Sequence, residues 1–154
     1  MNNTDSTYLG LTQEELKWLF QLNMFGRLIN NPNRPDHTFK DDKHIKRYFN
    51  NYAGRLTSNT PDRNGYALVR VLTDRKRVGY RYMVVWFLMH GWLPPQDYQI
   101  IHVDGDKLND CPSNLAMTPV ANPTPLSTIQ PLITPKGMHI YAANTKTNLQ
   151  GFRP

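Results

Sequence analysis

The segment 82–91, YMVVWFLMHG, is apolar almost all round, and Gly91 and the WLPP sequence at 92–95 halt it. A run with no polar face has to be buried, so the rest of the chain must supply surfaces that cover it. Periodicity alone does not separate a buried helix from a buried strand. Its length and the glycine that ends it point to a helix, and the paired prolines forbid continuation.

A chain of 154 residues suits one compact domain, or a small domain with a tail. The 39% apolar content is modest but includes 3 Trp, 8 Tyr and 6 Phe, which allows a small aromatic core. No apolar stretch approaches the roughly 20 residues that span a bilayer, so no membrane partner is expected. The opening MNNTDSTYLG lacks the charged-then-apolar order of a signal peptide. The single cysteine, Cys111, excludes an internal disulfide and a Cys-rich zinc site. Both features fit a cytoplasmic protein.

Charge is concentrated. Between residues 40 and 81 there are eleven Lys/Arg against four Asp, a local net charge of +7 in a chain whose total is +6. Such a segment is the electrostatic footprint of a polyanion, nucleic acid first. The phosphate-contact candidates are Lys43, Lys46 and Arg47 on one predicted helix face, and Arg70, Arg75, Lys76, Arg77 and Arg81 on a predicted hairpin. Such contacts position a duplex without reading its sequence.

Residues 1–10 are expected to be disordered. Thr12 and Glu15 form a capping-box pair, with Leu11 and Leu16 at staple positions, so a helix should start there and fade near 23–26. Turn formers make 27–64 irregular, interrupted by a helix over 42–52 in which Ile45, Tyr48, Phe49 and Tyr52 recur at helical spacing. The β-branched and aromatic content of GYALVRVL (65–72) favours a strand, and a charged turn and a return strand from about Val78 complete the hairpin. From Cys111 onward lie seven of the 12 prolines and no acidic residue, so 123–154 reads as a Pro-rich extended tail, with one short strand at 138–143.

Residues 98–122, YQIIHVDGDKLNDCPSNLAMTPVAN, read as strand, acidic glycine-containing loop, strand. With them stand, in order, LTQEEL (11–16), GRL (26–28), AGRL (53–56), GYALVRV (65–71) and HGWLP (90–94). This ordered set resembles HNH endonucleases of the phage and homing-endonuclease type, whose core reads roughly DHINGDxxDNxxxNLxxxTxxxN. The resemblance spans residues 11–122 and implies an α+β fold with a ββα-metal-like core at 65–122 and an N-terminal helical and irregular region at 11–64.

In such nucleases a histidine activates water for attack on a phosphodiester, and a divalent cation, Mg²⁺ or Mn²⁺, stabilises the leaving oxygen. His102 matches that base. Asn114 matches the supporting asparagine of the NL pair, and Asn122 the metal asparagine. Asp104 and Asp106 are substitute metal ligands, with Asp110 nearby, and Gly105 serves the tight turn. The chain departs from the pattern at three places. Ile101 stands where a metal-binding Asp usually precedes the histidine. Pro123 follows Asn122, where a short helix is expected. Tyr82-Met83 aligns with a His-Arg pair.

The resulting expectation is a nucleic-acid-binding protein of HNH nuclease fold, of phage or mobile-element origin, whose cleavage is impaired or lost and which then needs no cofactor. The alternatives are an active HNH nickase with His102 as base, and a phage effector that binds a host protein in the host cytoplasm. The tail strip of Leu126, Ile129, Leu132 and Ile133 suits docking to a host protein or self-association.

Overall fold

The computed structural model describes residues 6–73 and 76–122, together with two later strands, Ile129–Ile133 and His139–Ala143. In chain order the elements are helix α1 (Gln13–Leu19), strands β1 (Phe20–Leu22) and β2 (Leu28–Asn30), and helix α2 (Asp42–Asn51). Strands β3 (Leu68–Leu72) and β4 (Lys76–Tyr80), helix α3 (Arg81–His90), and strands β5 (Tyr98–His102) and β6 (Leu115–Pro119) follow. The later strands are β7 and β8. The class is α+β, as expected, with three α-helices among the described residues and small antiparallel strand pairs β1–β2, β3–β4 and β5–β6.

The apolar run is helix α3, and it is the centre of the core. Val84, Val85, Trp86, Phe87 and Leu88 are all buried, against Leu16 and Leu19 of α1, Val69 and Val71 of β3, and Leu115 and Met117 of β6. Gly91 ends the helix in the left-handed conformation at φ +74°, its N–H donating to Phe87 O. Glycine adopts that φ without a Cβ penalty.

Helix α1 begins as its sequence dictates. Thr12 Oγ1 accepts from Glu15 N, and Glu15 returns a carboxylate oxygen to Thr12 N. It stops sooner than its sequence suggested. Phe20 is already extended at φ −137° and pairs with Asn30, so β1–β2 pairing takes over from the helix there. Tyr8 and Leu9, expected to belong to a disordered terminus, pack on the core instead. The Tyr8 hydroxyl accepts from Tyr80 N, and Gly79 provides the space: a Cβ there would sit 2.7 Å from Leu9 Cδ1. Helix α2 matches its expected span and is capped by Asp41, whose carboxylate accepts from His44 N.

Strand β6 also pairs in parallel with β8, which pairs with β7, in a sheet ordered β5-β6-β8-β7. Two strands thus lie within the expected Pro-rich tail, and the remainder of 123–154 is outside the described residues. Strands β5 and β6 supply the hairpin that the resemblance anticipates. Among the described residues no helix follows β6.

Candidate functional site

His102 is the last residue of β5 and pairs with Leu115, the first of β6, so it stands at the loop end of the hairpin. The loop 103–114 is held by short polar side chains together with backbone turns such as Gly105 N to His102 O and Asn109 N to Asp106 O. Asn114 is its hub. The Asn114 amide donates to Asp104 Oδ1 and to Asn109 O, both at 2.8 Å, and its Oδ1 accepts from Asp104 N at 3.0 Å. Asp104 answers with Oδ1 accepting from Asp106 N and Oδ2 accepting from Asn109 Nδ2. These bonds hold the Asp104 carboxyl below the usual carboxylate range, the Asn109 bond most strongly. Asp106 caps Leu108 N, and Gly105, at φ +77°, makes the turn. Asn114, the asparagine of the NL pair, thus bonds across the loop to Asp104 and Asn109.

The loop turns Asp110 back onto His102. Asp110 Oδ1 lies 2.6 Å from His102 Nε2, and Asp110 Oδ2 accepts from Arg81 Nε at 2.6 Å. The side chains are 4% (His102), 4% (Asp110) and 10% (Arg81) exposed. Arg81 opens α3 and also donates to Ser58 O and Leu108 O. A carboxylate only accepts, so Nε2 carries a proton and Nδ1 is the nitrogen left to accept one. Arg81 pairs with Asp110, so the two buried side chains are matched in charge.

Two tyrosine rings complete the surroundings of His102. Tyr82 meets it edge-on at 5.5 Å between centroids, and Tyr66 lies at 5.9 Å. Burial, helped by neighbouring tyrosines and Asp110, pushes the Tyr82 phenol up to about 12, so it is a neutral hydroxyl at physiological pH.

The structure brings together His102, Asn114, Asp104 and Asp106, but not Asn122. Val120 N donates to Asp97 O, which places the chain leaving β6 at the Tyr98 end of the hairpin. That end is four strand residues from His102, or about 13 Å along the strand. Of the expected metal ligands, Asp104 and Asp106 share the loop, and Asp106 Oδ1 accepts from Leu108 N. Ile101 offers no oxygen, both Asp104 oxygens are bonded inside the loop, and Asp110 is matched to Arg81 and His102. Among the described residues no three His, Cys, Asp or Glu side chains converge on one point.

Of the phosphate-contact candidates, Lys43, Lys46, Arg47, Arg70 and Lys76 are exposed and Arg77 is half-buried. Arg75 lies outside the described residues. Arg81 is a correction: it is buried, because the Asp110 side chain and two backbone carbonyls accept from its guanidinium and draw it inward. Sequence reasoning missed the roles of Asp110, Arg81, Tyr66 and Tyr82. The one signal available was an arginine opening an otherwise apolar helix, a residue with no reason to be there unless a buried partner meets it.

Beside this cluster runs a cleft of about 620 Å³, lined by Arg27, Leu56, Thr57, Arg81, Asp106 and Asp110 among others. Asp110 and Arg81 face it, whereas His102 stands behind them and is not part of its wall. No helix among the described residues is long and apolar enough to cross a membrane.

No curated protein and no solved structure matches the chain. A family model does: residues 80–121, from the end of β4 through α3, β5 and the His102 loop to just past β6, match the model of the HNH endonuclease family, so this stretch is similar to an HNH endonuclease domain.

Proposed function

We propose that this protein binds DNA through an HNH nuclease scaffold whose phosphodiester cleavage is impaired or lost. The HNH match ties the chain to a nuclease-like, nucleic-acid-related role. The observation that carries the rest is the state of the histidine. A base that must reach a water beside a phosphodiester is here 4% exposed, bonded to Asp110 and packed beside the Tyr66 and Tyr82 rings. Its neighbour Ile101 supplies no oxygen, and Asn122 leaves at the far end of the hairpin. The basic surface is independent of that site: Lys43, Lys46 and Arg47 on α2, and Arg70 and Lys76 on β3 and β4, remain exposed.

One observation favours a second reading, an active nickase. A carboxylate bonded to Nε2 orients an imidazole and leaves Nδ1 to take a proton, which is how a general base is set up. In that reading His102 acts on water once the cluster opens.

Supercoiled-plasmid nicking in Mg²⁺ and in Mn²⁺, beside His102→Ala and a chelator control, separates the two. The expected result is a mobility shift of DNA with no nicking at high protein. Metal-dependent nicking that disappears in His102→Ala would establish the second reading and overturn the first.

A further inference from the structure

A second groove, of about 810 Å³, runs between helix α2 and the β3–β4 hairpin. Its wall carries the exposed cations Arg70 and Lys76, the buried Arg34 whose guanidinium is held by Thr38, the rings of Tyr48 and Tyr52, and no Asp or Glu. The charge therefore suits a polyanion, but a bare electrostatic surface does not need rings. Tyr52 is 45% exposed and its ring stands on a fixed base. Tyr48, behind it at 6.4 Å between centroids, is buried, and its hydroxyl donates to Asn31 O at 2.8 Å. The Tyr52 N–H donates to Tyr48 O at the end of α2, so the platform is held from the backbone as well. Leu56 and Val78, 52% and 48% exposed, add apolar contact on the same walls.

We propose that this groove is a track for a single nucleic-acid strand, with Arg70 and Lys76 on its phosphates and an unpaired base stacked on Tyr52. The proposal rests on the nucleic-acid reading above and names the form of nucleic acid. A duplex hides its base faces inside its own stack and offers a protein only backbone and groove edges. A single strand offers faces, and alternating cations and exposed rings are the chemistry that holds them. The track also has a destination. Leu56 and Thr57 line both this groove and the cleft beside Arg81 and Asp110. A strand crossing that shared rim passes from the hairpin cations to Arg27 and the cluster that screens His102.

The test is fluorescence anisotropy of the full chain with a labelled oligothymidylate of roughly 16 nucleotides, and with a duplex of equal length, across a salt series. The expected result is that Tyr52→Ala weakens single-strand binding about 5-fold or more while duplex binding is unchanged, and that Tyr52→Phe restores it. Replacing Arg70 and Lys76 together by Gln should lower the single-strand log–log salt slope by about 1.4. Photocrosslinking of a 5-iodouracil oligonucleotide to the unaltered protein, with the adduct mapped by mass spectrometry, checks the same contact without relying on a variant's fold. An adduct on Tyr52 supports the track, and adducts elsewhere overturn it. Salt-dependent duplex binding without single-strand binding overturns the track and leaves the nucleic-acid reading standing. Binding of neither form overturns both. Single-strand binding indifferent to Tyr52→Ala removes the groove from it.

Discussion

His102 Nε2 lies 2.6 Å from Asp110 Oδ1, and both side chains are only 4% exposed. The second oxygen of Asp110 holds Arg81 at the start of α3, so one carboxylate fastens the hairpin that bears the histidine to the helix at the centre of the core.

Asp110→Asn should therefore act first on stability. It leaves the Arg81 guanidinium buried against a neutral amide and removes the ionic partner of His102. Breaking one side of a buried pair costs about 3–5 kcal/mol. Urea unfolding should show a loss of unfolding free energy of that order. The double variant Arg81→Met with Asp110→Leu should recover part of it, since no charge is then stranded. A loss below about 1 kcal/mol in the single variant would mean that the pair adds little to the fold.

Asn114→Asp tests the hub of the loop. The new carboxylate would face Asp104 Oδ1, which the amide now donates to at 2.8 Å. Two like charges so close cannot both ionise cheaply, so one carboxyl is held above its unfolded pKa. The sign follows: the variant is nearest to wild-type stability in acid and loses ground as pH rises through that raised pKa. Paired melts at pH 4 and pH 7 should show a larger deficit at pH 7. An equal deficit at both would place the damage in lost bonds alone.

His90 gives the wild-type protein an acid sensitivity of its own. Burial against Trp86 and Trp92 lowers its pKa from 6.5 to about 4. The unfolded chain therefore binds a proton at a pH where the folded chain does not. Stability is complete above about pH 6.5, falls as pH drops towards 4, and loses no more from this group below that. The full effect is at most roughly 3 kcal/mol. His90→Phe should flatten the fall in melting temperature across that window, and an unchanged slope would assign the acid sensitivity elsewhere.

Gly79→Ala should release the N-terminal segment. Its Cβ would stand 2.7 Å from Leu9 Cδ1 and 2.8 Å from the Tyr8 hydroxyl, both contacts shorter than real Cβ atoms tolerate. Limited proteolysis should then cut within residues 6–11 faster than in wild type, with the far-UV spectrum retained. Equal protection would show that the segment shifts without leaving.

On the basic face, changing Lys43, Lys46 and Arg47 to Ala should weaken duplex binding at all sequences alike. The salt slope should fall by about 0.9 for each residue that contacts a phosphate. A change in sequence preference with an unaltered slope would mean that these residues read bases instead.

The elements with strong local signals were legible. The capping box at Thr12, the apolar run that becomes α3 and its Gly91 stop each follow from a few adjacent residues. The early end of α1 was not, because Phe20 leaves the helix to meet Asn30, a partner ten positions away. The cluster around His102 was hidden for the same reason on a larger scale. Arg81 and Asp110 are 29 residues apart and meet only when the loop hub folds. A charge count places Arg81 with its basic neighbours, and only burial separates it from them.

The capture of His102 by Asp110 and Arg81 has a consequence for inheritance. Any substitution at those three positions is met first by the folding equilibrium and only afterwards by whatever selection acts on catalysis. A lineage that ceased to cut nucleic acid would still be held to this histidine by the cost of unfolding, so its presence is no record of an activity.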